Sequence, residues 1–278
     1  MSRTSPGRRF DELTDPEIAA ALARSPRAVL PMGSVEQHGP HLPTGTDFFA
    51  ATAISLAVAE HIDALVLPLC PLGVTPMHMP YPGTVSLRPE TLQAVVGDIG
   101  SSLAAHGCRE FVLLNWHEGN IPSLALAAEH LHRDLGLSVV VVQACYVAEE
   151  RYGPVAGGLT HGGKIEAWSV LGCRPDLVHL DRAEGSGDRR QGELVDRLRR
   201  DRSFQPMLTD VRTMSSTGWY GNPEGATEQE ARQFVAELGA EIASRLRGVL
   251  EALAQVQPGG PAGLAADGAV AADGAVRA

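Results

Sequence analysis

Short aliphatic runs alternate along the chain with longer stretches in which apolar positions recur every three or four residues. Ala28–Met32, Ala64–Leu67, Phe111–Leu114 and Leu137–Val142 are aliphatic on both faces, the pattern of strands covered on both sides of a sheet. Between and after them, helical periodicity runs over about Phe49–His61, Pro89–His106, Ile121–Leu135 and Thr227–Leu253, the last with Glu228, Glu230 and Arg232 on its outer side. This order predicts βαβ units and an α/β fold, a three-layer α/β/α sandwich with a central, mainly parallel sheet. Thr46-Asp47 reads as a helix N-cap, and Pro89-Glu90 as a first helical turn. Residues 184–226 are irregular, with Gly185-Ser186-Gly187 and a glycine-rich stretch from Gly218 to Gly225, and are expected to loop over the strand ends. In open α/β sheets ligands bind at the carboxyl ends of the strands. The chain divides into an N-terminal extension (1–24), a body (25–255) and a tail (256–278). The tail carries Ala-Ala-Asp-Gly-Ala-Val twice and has too little bulk to bury, so it is expected to be disordered.

Composition narrows the partners. Of 278 residues, 44% are hydrophobic and 20% charged, enough apolar material for a real core. Lys and Arg number 23 against 33 Asp and Glu, a net charge of -10 with no basic stretch, which argues against nucleic acid or an anionic membrane as partner. No apolar run reaches the roughly 18 residues a bilayer requires, and Met1–Phe10 lacks the apolar core of a signal peptide, so a cytoplasmic protein is expected. Cys70, Cys108, Cys145 and Cys173 are widely spaced, form no C-x-x-C pair and are expected to be small buried hydrophobes, giving neither a disulfide framework nor a thiolate zinc site.

Three segments that follow predicted strands, or open a helix, concentrate carboxylates and imidazoles. The first is Gly33–Asp47, in which Glu36 and His38, two apart in an extended segment, face the same side and Asp47 can return to that point. The second is Leu114–Asn120, with His117 and Glu118; the third is His161–Glu166. Mixed carboxylate and imidazole donors without thiolates suit zinc, manganese or iron in a hydrolytic site, and one shared carboxylate would hold two such ions ~3.5 to 4 Å apart. His130 and His132 lie two apart on a helix and point to different faces, so they read as surface residues; His61, His106 and His179 stand alone. There is no G-x-S-x-G elbow, no partner for Cys145 as a nucleophile and no nucleotide-binding glycine pattern.

Gly-Ser-Val-Glu-Gln-His-Gly-Pro-His-Leu-Pro (33–43) with Thr46-Asp47, Tyr81-Pro82-Gly83-Thr84-Val85-Ser86-Leu87, Leu114-Asn115-x-His117-x-Gly119-Asn120, His161-Gly162-Gly163-x-x-Glu166 and Gly218–Pro223 with Ala226-Thr227 resemble, in order, the signature segments of the creatininase (creatinine amidohydrolase) family. The resemblance spans about residues 25–250. It implies the same α/β/α fold and a two-metal site that hydrolyses C–N bonds in small amides. Glu36, His38, Asp47 and His117 would then be metal ligands with Asp47 bridging, and His161 the residue that moves a proton to the leaving nitrogen. Trp116 and Glu118 replace two glycines of the family pattern, Gly119 stands where creatininases proper carry a glutamate, and Lys164 departs from the third segment, which makes creatinine a poor expected substrate.

The missing carboxylate must come from Glu118 or Glu166. Glu118 adjoins His117 and should face the other way in an extended strand end, whereas Glu166 opens a helix and can face back to the strand ends. Glu166 is therefore expected to be the fifth ligand, with Glu118 in a catalytic or substrate-facing role or paired with Lys164. Trp116, Tyr81, His78, Lys164 and Trp168, with Trp219, are the expected substrate contacts. The reading that follows is a metal-dependent amidohydrolase with two divalent ions (Zn, Mn or Fe), attacking a small-molecule amide, lactam or formamide through metal-activated water. A metal-binding scaffold without turnover, or an amide-forming enzyme, is the alternative. A homo-oligomer is expected, a hexamer by the same resemblance.

Overall fold

A computed structural model describes residues 8–68, 72–184, 198, 200 and 207–256. Five parallel strands, β1 (Arg8–Arg9), β2 (Arg27–Met32), β3 (Leu65–Val66), β4 (Glu110–Asn115) and β5 (Ser138–Gln143), form one sheet in the order β1-β3-β2-β4-β5. The register pairs Met32 with Asn115 and Asn115 with Gln143, so the three long strands end level with one another. Successive residues of each strand enter opposite cores. Val29, Val112 and Leu114 belong to one, and Ala28, Leu30, Met32, Phe111 and Leu113 to the other. That is why these strands are aliphatic throughout.

Helices α1 (Asp15–Arg24), α3 (Pro89–Ala105) and α4 (Ile121–Leu135) cover one face. Helices α2 (Thr46–Ile62), α5 (Ala144–Ala156), α6 (Lys164–Leu171) and α7 (Glu228–Val256) cover the other. The expected three-layer α/β/α sandwich is the observed fold. From Arg8 onward the segment read as an extension belongs to it: β1 pairs with β3, and α1, opened by a Thr14–Glu17 capping box, buries Ala21 and Leu22. Two helices escaped the periodicity reading for physical reasons. Every residue of α6 after Lys164 is buried, which leaves no polar stripe, and α5 carries Gly153 and Pro154 in its last turn.

Thr46-Asp47 is not the cap of α2. The helix begins at Thr46 with Gly45 before it, and Thr46 Oγ1 donates to the Pro43 carbonyl, which frees the Asp47 carboxylate to face away from the backbone. Cys108 and Cys145 are buried free thiols, while Cys173 is exposed against expectation; Cys70 and the tail beyond Val256 lie outside the described residues. His61, His106 and His130 are exposed, and His132 donates from Nδ1 to the Leu137 carbonyl. Among the described residues no helix is long and apolar enough to cross a membrane.

Candidate metal centre

The loops that leave the level carboxyl ends of β2 and β4 converge with the segment before α6. Asn115 and Asn120 tie them together. Asn115 Nδ2 donates to the His117 carbonyl (2.7 Å) and to Gln143 Oε1 (2.8 Å), while its Oδ1 accepts the His117 N–H. Asn120 donates to the Gly33 carbonyl (2.9 Å) and accepts the Val74 N–H (2.9 Å), joining the loops after β2, β3 and β4. The loops also approach too closely for side chains: a Cβ on Gly119 would stand 2.2 Å from the Val74 carbonyl and 2.5 Å from His117 Nε2. This leaves no room at position 119 for the glutamate of creatininases proper. His41, quoted above only inside a motif, donates from Nε2 to the Gly162 carbonyl (2.8 Å) and packs on Trp219, so it fastens the first segment to the third.

Inside this frame the carboxylates and imidazoles meet. Asp47 Oδ2 lies 3.0 Å from His117 Nδ1, and its Oδ1 lies 3.3 Å from His38 Nε2. Glu36 Oε2 stands 3.4 Å from His117 Nδ1, and Glu166 Oε1 3.7 Å from His38 Nε2. Two groups with metal-holding geometry result, Glu36–Asp47–His117 and His38–Asp47–Glu166, sharing Asp47; a third, Glu36–His38–His161, overlaps both. Supporting donors aim the carboxylates: Ser34 Oγ to Asp47 Oδ2 (2.8 Å), Thr75 Oγ1 to Glu36 Oε2, and the Gly162 N–H to Glu166 Oε2. Ser34 and Thr75 carry no signal in an isolated sequence beyond lying in or beside the motif segments.

The donor set fits a metal. His117 donates from Nε2 to the Val74 carbonyl (3.0 Å) and His38 from Nδ1 to the Glu36 carbonyl (3.1 Å), so each turns its other ring nitrogen toward the carboxylates. His38 Nε2 is fully buried without a hydrogen-bond partner, the position of a lone pair awaiting a cation. Without metal, protons take that place. Burial opposes charge on His38, but Glu166 and Asp47 outweigh it and hold its pKa well above the ordinary imidazole value. Burial is likewise outweighed at His117, by Glu36 and Asp47, and its pKa rises to about 9. Asp47 is held below the usual carboxylate range, burial being overcome by His38 and His117. Burial pushes Glu166 up.

A cavity of about 450 Å³ opens over the cluster, walled by Trp116, Cys145, Tyr146, Met214 and Tyr220, with His78, His161 and Glu118 also on it. His161 stacks between His38 and His78, each ring centroid 4.3 Å away. Burial, then the neighbouring His38 and His78, hold its pKa well below the ordinary value, so its ring is neutral. Cys145 is a thiol that burial holds protonated, a wall and not a nucleophile. Glu118 stays outside both metal groups and pairs with Arg200, not with Lys164: Arg200 Nε donates to its Oε1 at 2.8 Å, and Arg200 also donates to the Leu159 carbonyl. Four expected substrate contacts are elsewhere, Trp219 among them, packed on His41. Trp168 packs with Tyr152 and Phe234 in the core, Lys164 lies over the Trp168 ring at 5.9 Å, and Tyr81 donates to the Ser216 carbonyl. Large aromatics and a basic stem find apolar surface more readily than a polar cavity, and here α7 supplies it. Arg200 and Tyr146 reach the cavity from segments without motif character, and Tyr220 from the Gly218–Pro223 motif, where only its neighbour Trp219 was singled out.

Buried carboxylates and imidazoles grouped about one shared aspartate, at the carboxyl ends of a parallel sheet, define a metal-dependent α/β hydrolase. The sequence pattern of the creatininase family (creatinine amidohydrolase) matches residues 11–246, and the chain belongs to that family. It is accordingly a metal-dependent amidohydrolase, a hydrolase of amide bonds. A mycofactocin precursor peptide peptidase of Mycobacterium ulcerans is 33% identical over 233 residues, covering 80% of this chain and 84% of the relative. The creatinine amidohydrolase of Pseudomonas putida is 36% identical over 192 residues, 62% of this chain and 74% of the relative. Among solved structures, a creatinine amidohydrolase superposes with a TM-score of 0.72 at 26% identity over 91% of this chain and 99% of the other, and a manganese creatininase with 0.68 at 29% identity over 86% and 97%.

Proposed function

We propose that this chain uses two divalent metal ions to hydrolyse a C–N bond in a small polar amide, the end of a short peptide included. The observation that carries the reading is the pair of donor groups sharing Asp47, each with an imidazole whose free nitrogen faces the carboxylates. Glu36, Asp47 and His117 would hold one ion; His38, Asp47 and Glu166 the other. When bound, zinc or manganese polarises the amide carbonyl and makes water nucleophilic near neutral pH. The remaining work belongs to the chain. His161, neutral and on the cavity wall, takes the proton released by the attacking water and passes it to the departing nitrogen as the C–N bond breaks. Trp116, Met214 and Tyr220 exclude bulk water, and Arg200, held in place by Glu118, presents a fixed positive group to a polar or anionic substrate end.

A short peptide end is favoured over a single small ring by the cavity, whose 450 Å³ falls in the range of sites for drug-sized ligands. The peptidase relatives support the same substrate class. The test is turnover by the zinc- or manganese-loaded protein of a panel of formamides, lactams, creatinine and short peptides. Cleavage of a terminal peptide bond is expected; hydrolysis of none of them by metal-replete protein would overturn the reading.

A further inference from the structure

Between the ligand candidates Glu36 and His38 stands Gln37, which is 7% exposed and is itself a member of none of the metal-holding groups. Its amide has one possible orientation. Oε1 accepts the Gly39 N–H at 3.2 Å, and Nε2 donates to the Gly218 carbonyl at 2.6 Å; a backbone N–H can only donate and a carbonyl can only accept. The second hydrogen on Nε2 then meets His78 Nδ1 at 3.0 Å. A ring nitrogen that accepts carries no proton, so the proton of His78 sits on Nε2, the nitrogen that lies 3.6 Å from Glu36 Oε1 at the cavity.

The backbone of the same residue sets a second ring. The Gln37 carbonyl lies 2.6 Å from His161 Nε2, and this contact requires a proton on that nitrogen. His161 Nδ1 therefore bears the lone pair, 3.8 Å from the same Glu36 oxygen. The close approach of Gln37 Nε2 to His161 Nε2 (3.0 Å) is then contact without a hydrogen bond, since both hydrogens of the amide are already placed. Two stacked imidazoles thus show the cavity opposite faces: a proton acceptor on His161 and an N–H donor on His78.

We propose that Gln37 is a positioning residue that fixes this pair of roles, and that His78, through its Nε2–H, is a further catalytic residue donating a hydrogen bond to the substrate amide. The proposal rests on the amidohydrolase reading above. In the step it serves, the water oxygen bonds to the carbonyl carbon and the C–N bond breaks. One water proton passes through His161 Nδ1 to the nitrogen, while the His78 proton is shared with the carbonyl oxygen and never transferred. A His78 ring in the other tautomer would set a lone pair against that oxygen and oppose the developing charge.

The test begins with the zinc-loaded wild-type protein and long-range proton–nitrogen NMR of its histidines. Both His78 and His161 are expected as Nε2–H tautomers, and a proton on Nδ1 of either ring overturns the proposal whatever the enzyme hydrolyses. Gln37→Glu replaces the donor with an acceptor and should move the His78 proton to Nδ1. The expected accompaniment is a fall in kcat of about 100-fold, the low end for losing one hydrogen bond to the developing oxyanion, with KM and metal content unchanged. A moved proton without loss of kcat would overturn it. His78→Gln, which restores an N–H near Nε2, should keep more of kcat than His78→Leu; equal loss in the two shows a packing role only and refutes the catalytic one. Absence of any turnover by wild type would count against the amidohydrolase reading, while the tautomer measurement would still judge the role of Gln37.

Discussion

At Asp47 the two oxygens of one carboxylate face different imidazoles, so truncation should empty both metal positions. Asp47→Ala is expected to bring metal content from two ions per chain to none, measured by elemental analysis after purification without chelator. Glu166→Gln should lower occupancy to about one ion, because a neutral amide is a far poorer ligand for a hard cation than a carboxylate. Glu118→Gln should leave occupancy unchanged and alter turnover, since Arg200 and not a metal group faces Glu118. Equal occupancies in the Glu166 and Glu118 variants would refute this division of roles. The raised pKa values of His38 and His117 give the pH dependence its sign. Both rings bear a second proton in the metal-free chain, on the nitrogen that faces the carboxylates, His117 up to about pH 9, and must lose that proton to bind. Metal affinity should therefore rise with pH toward 9, by about one decade per unit for the His117 proton alone, and calorimetry below that pH should record proton release. Affinity independent of pH between 6 and 9 (roughly the window these shifts define) would contradict it.

At the scale of elements, the site depends on loops that strands hold level and asparagines sew together. Asn120 is fully buried and serves the loops after β2, β3 and β4 at once. Asn120→Ala should destabilise the fold by about 2 to 4 kcal/mol, the cost of leaving its buried partners unsatisfied, read from denaturant unfolding of the metal-free protein. It should also weaken metal binding, because Gly33 leads to Glu36 and Val74 holds His117. A loss below about 0.5 kcal/mol, the level of ordinary surface substitutions, would show that the loops hold themselves. The strands and the helices Phe49–His61, Pro89–His106 and Ile121–Leu135 were legible because each has a face that water must leave. The apolar periodicity of α6 was not, because the helix lies wholly inside; only the loop-to-helix boundary at His161–Glu166 marked it, and it carries Glu166.

For the whole molecule, we expect a homo-oligomer, in keeping with the resemblance that led to the family and with the half-exposed state of every residue of the edge strand β5, Ser138–Gln143. Light scattering at micromolar concentration should give a multiple of the 29.4 kDa chain mass. A monomer would refute this. Chelation should lower the melting temperature reversibly, since ions that bind only the folded site stabilise it by mass action; an unchanged melting temperature would mean that the cluster needs no metal to hold its shape.

Residue chemistry and local spacing were enough to mark Glu36, His38, Asp47, His117, Glu166 and His161, because strand alternation and helix first turns direct side chains over one or two residues. They also announced the α/β/α layering, since burial on both faces writes itself into a strand. What the chain order could not carry were relations between distant segments. The placement of Trp168 and Lys164 against α7, the pairing of Glu118 with Arg200, and the Gln37 contacts with Gly218, His78 and His161 join residues 41 to 181 positions apart or lie on different elements. Such contacts arise only when packing brings the loops together. The proton positions on two imidazoles follow from that packing, not from the residues that bear them.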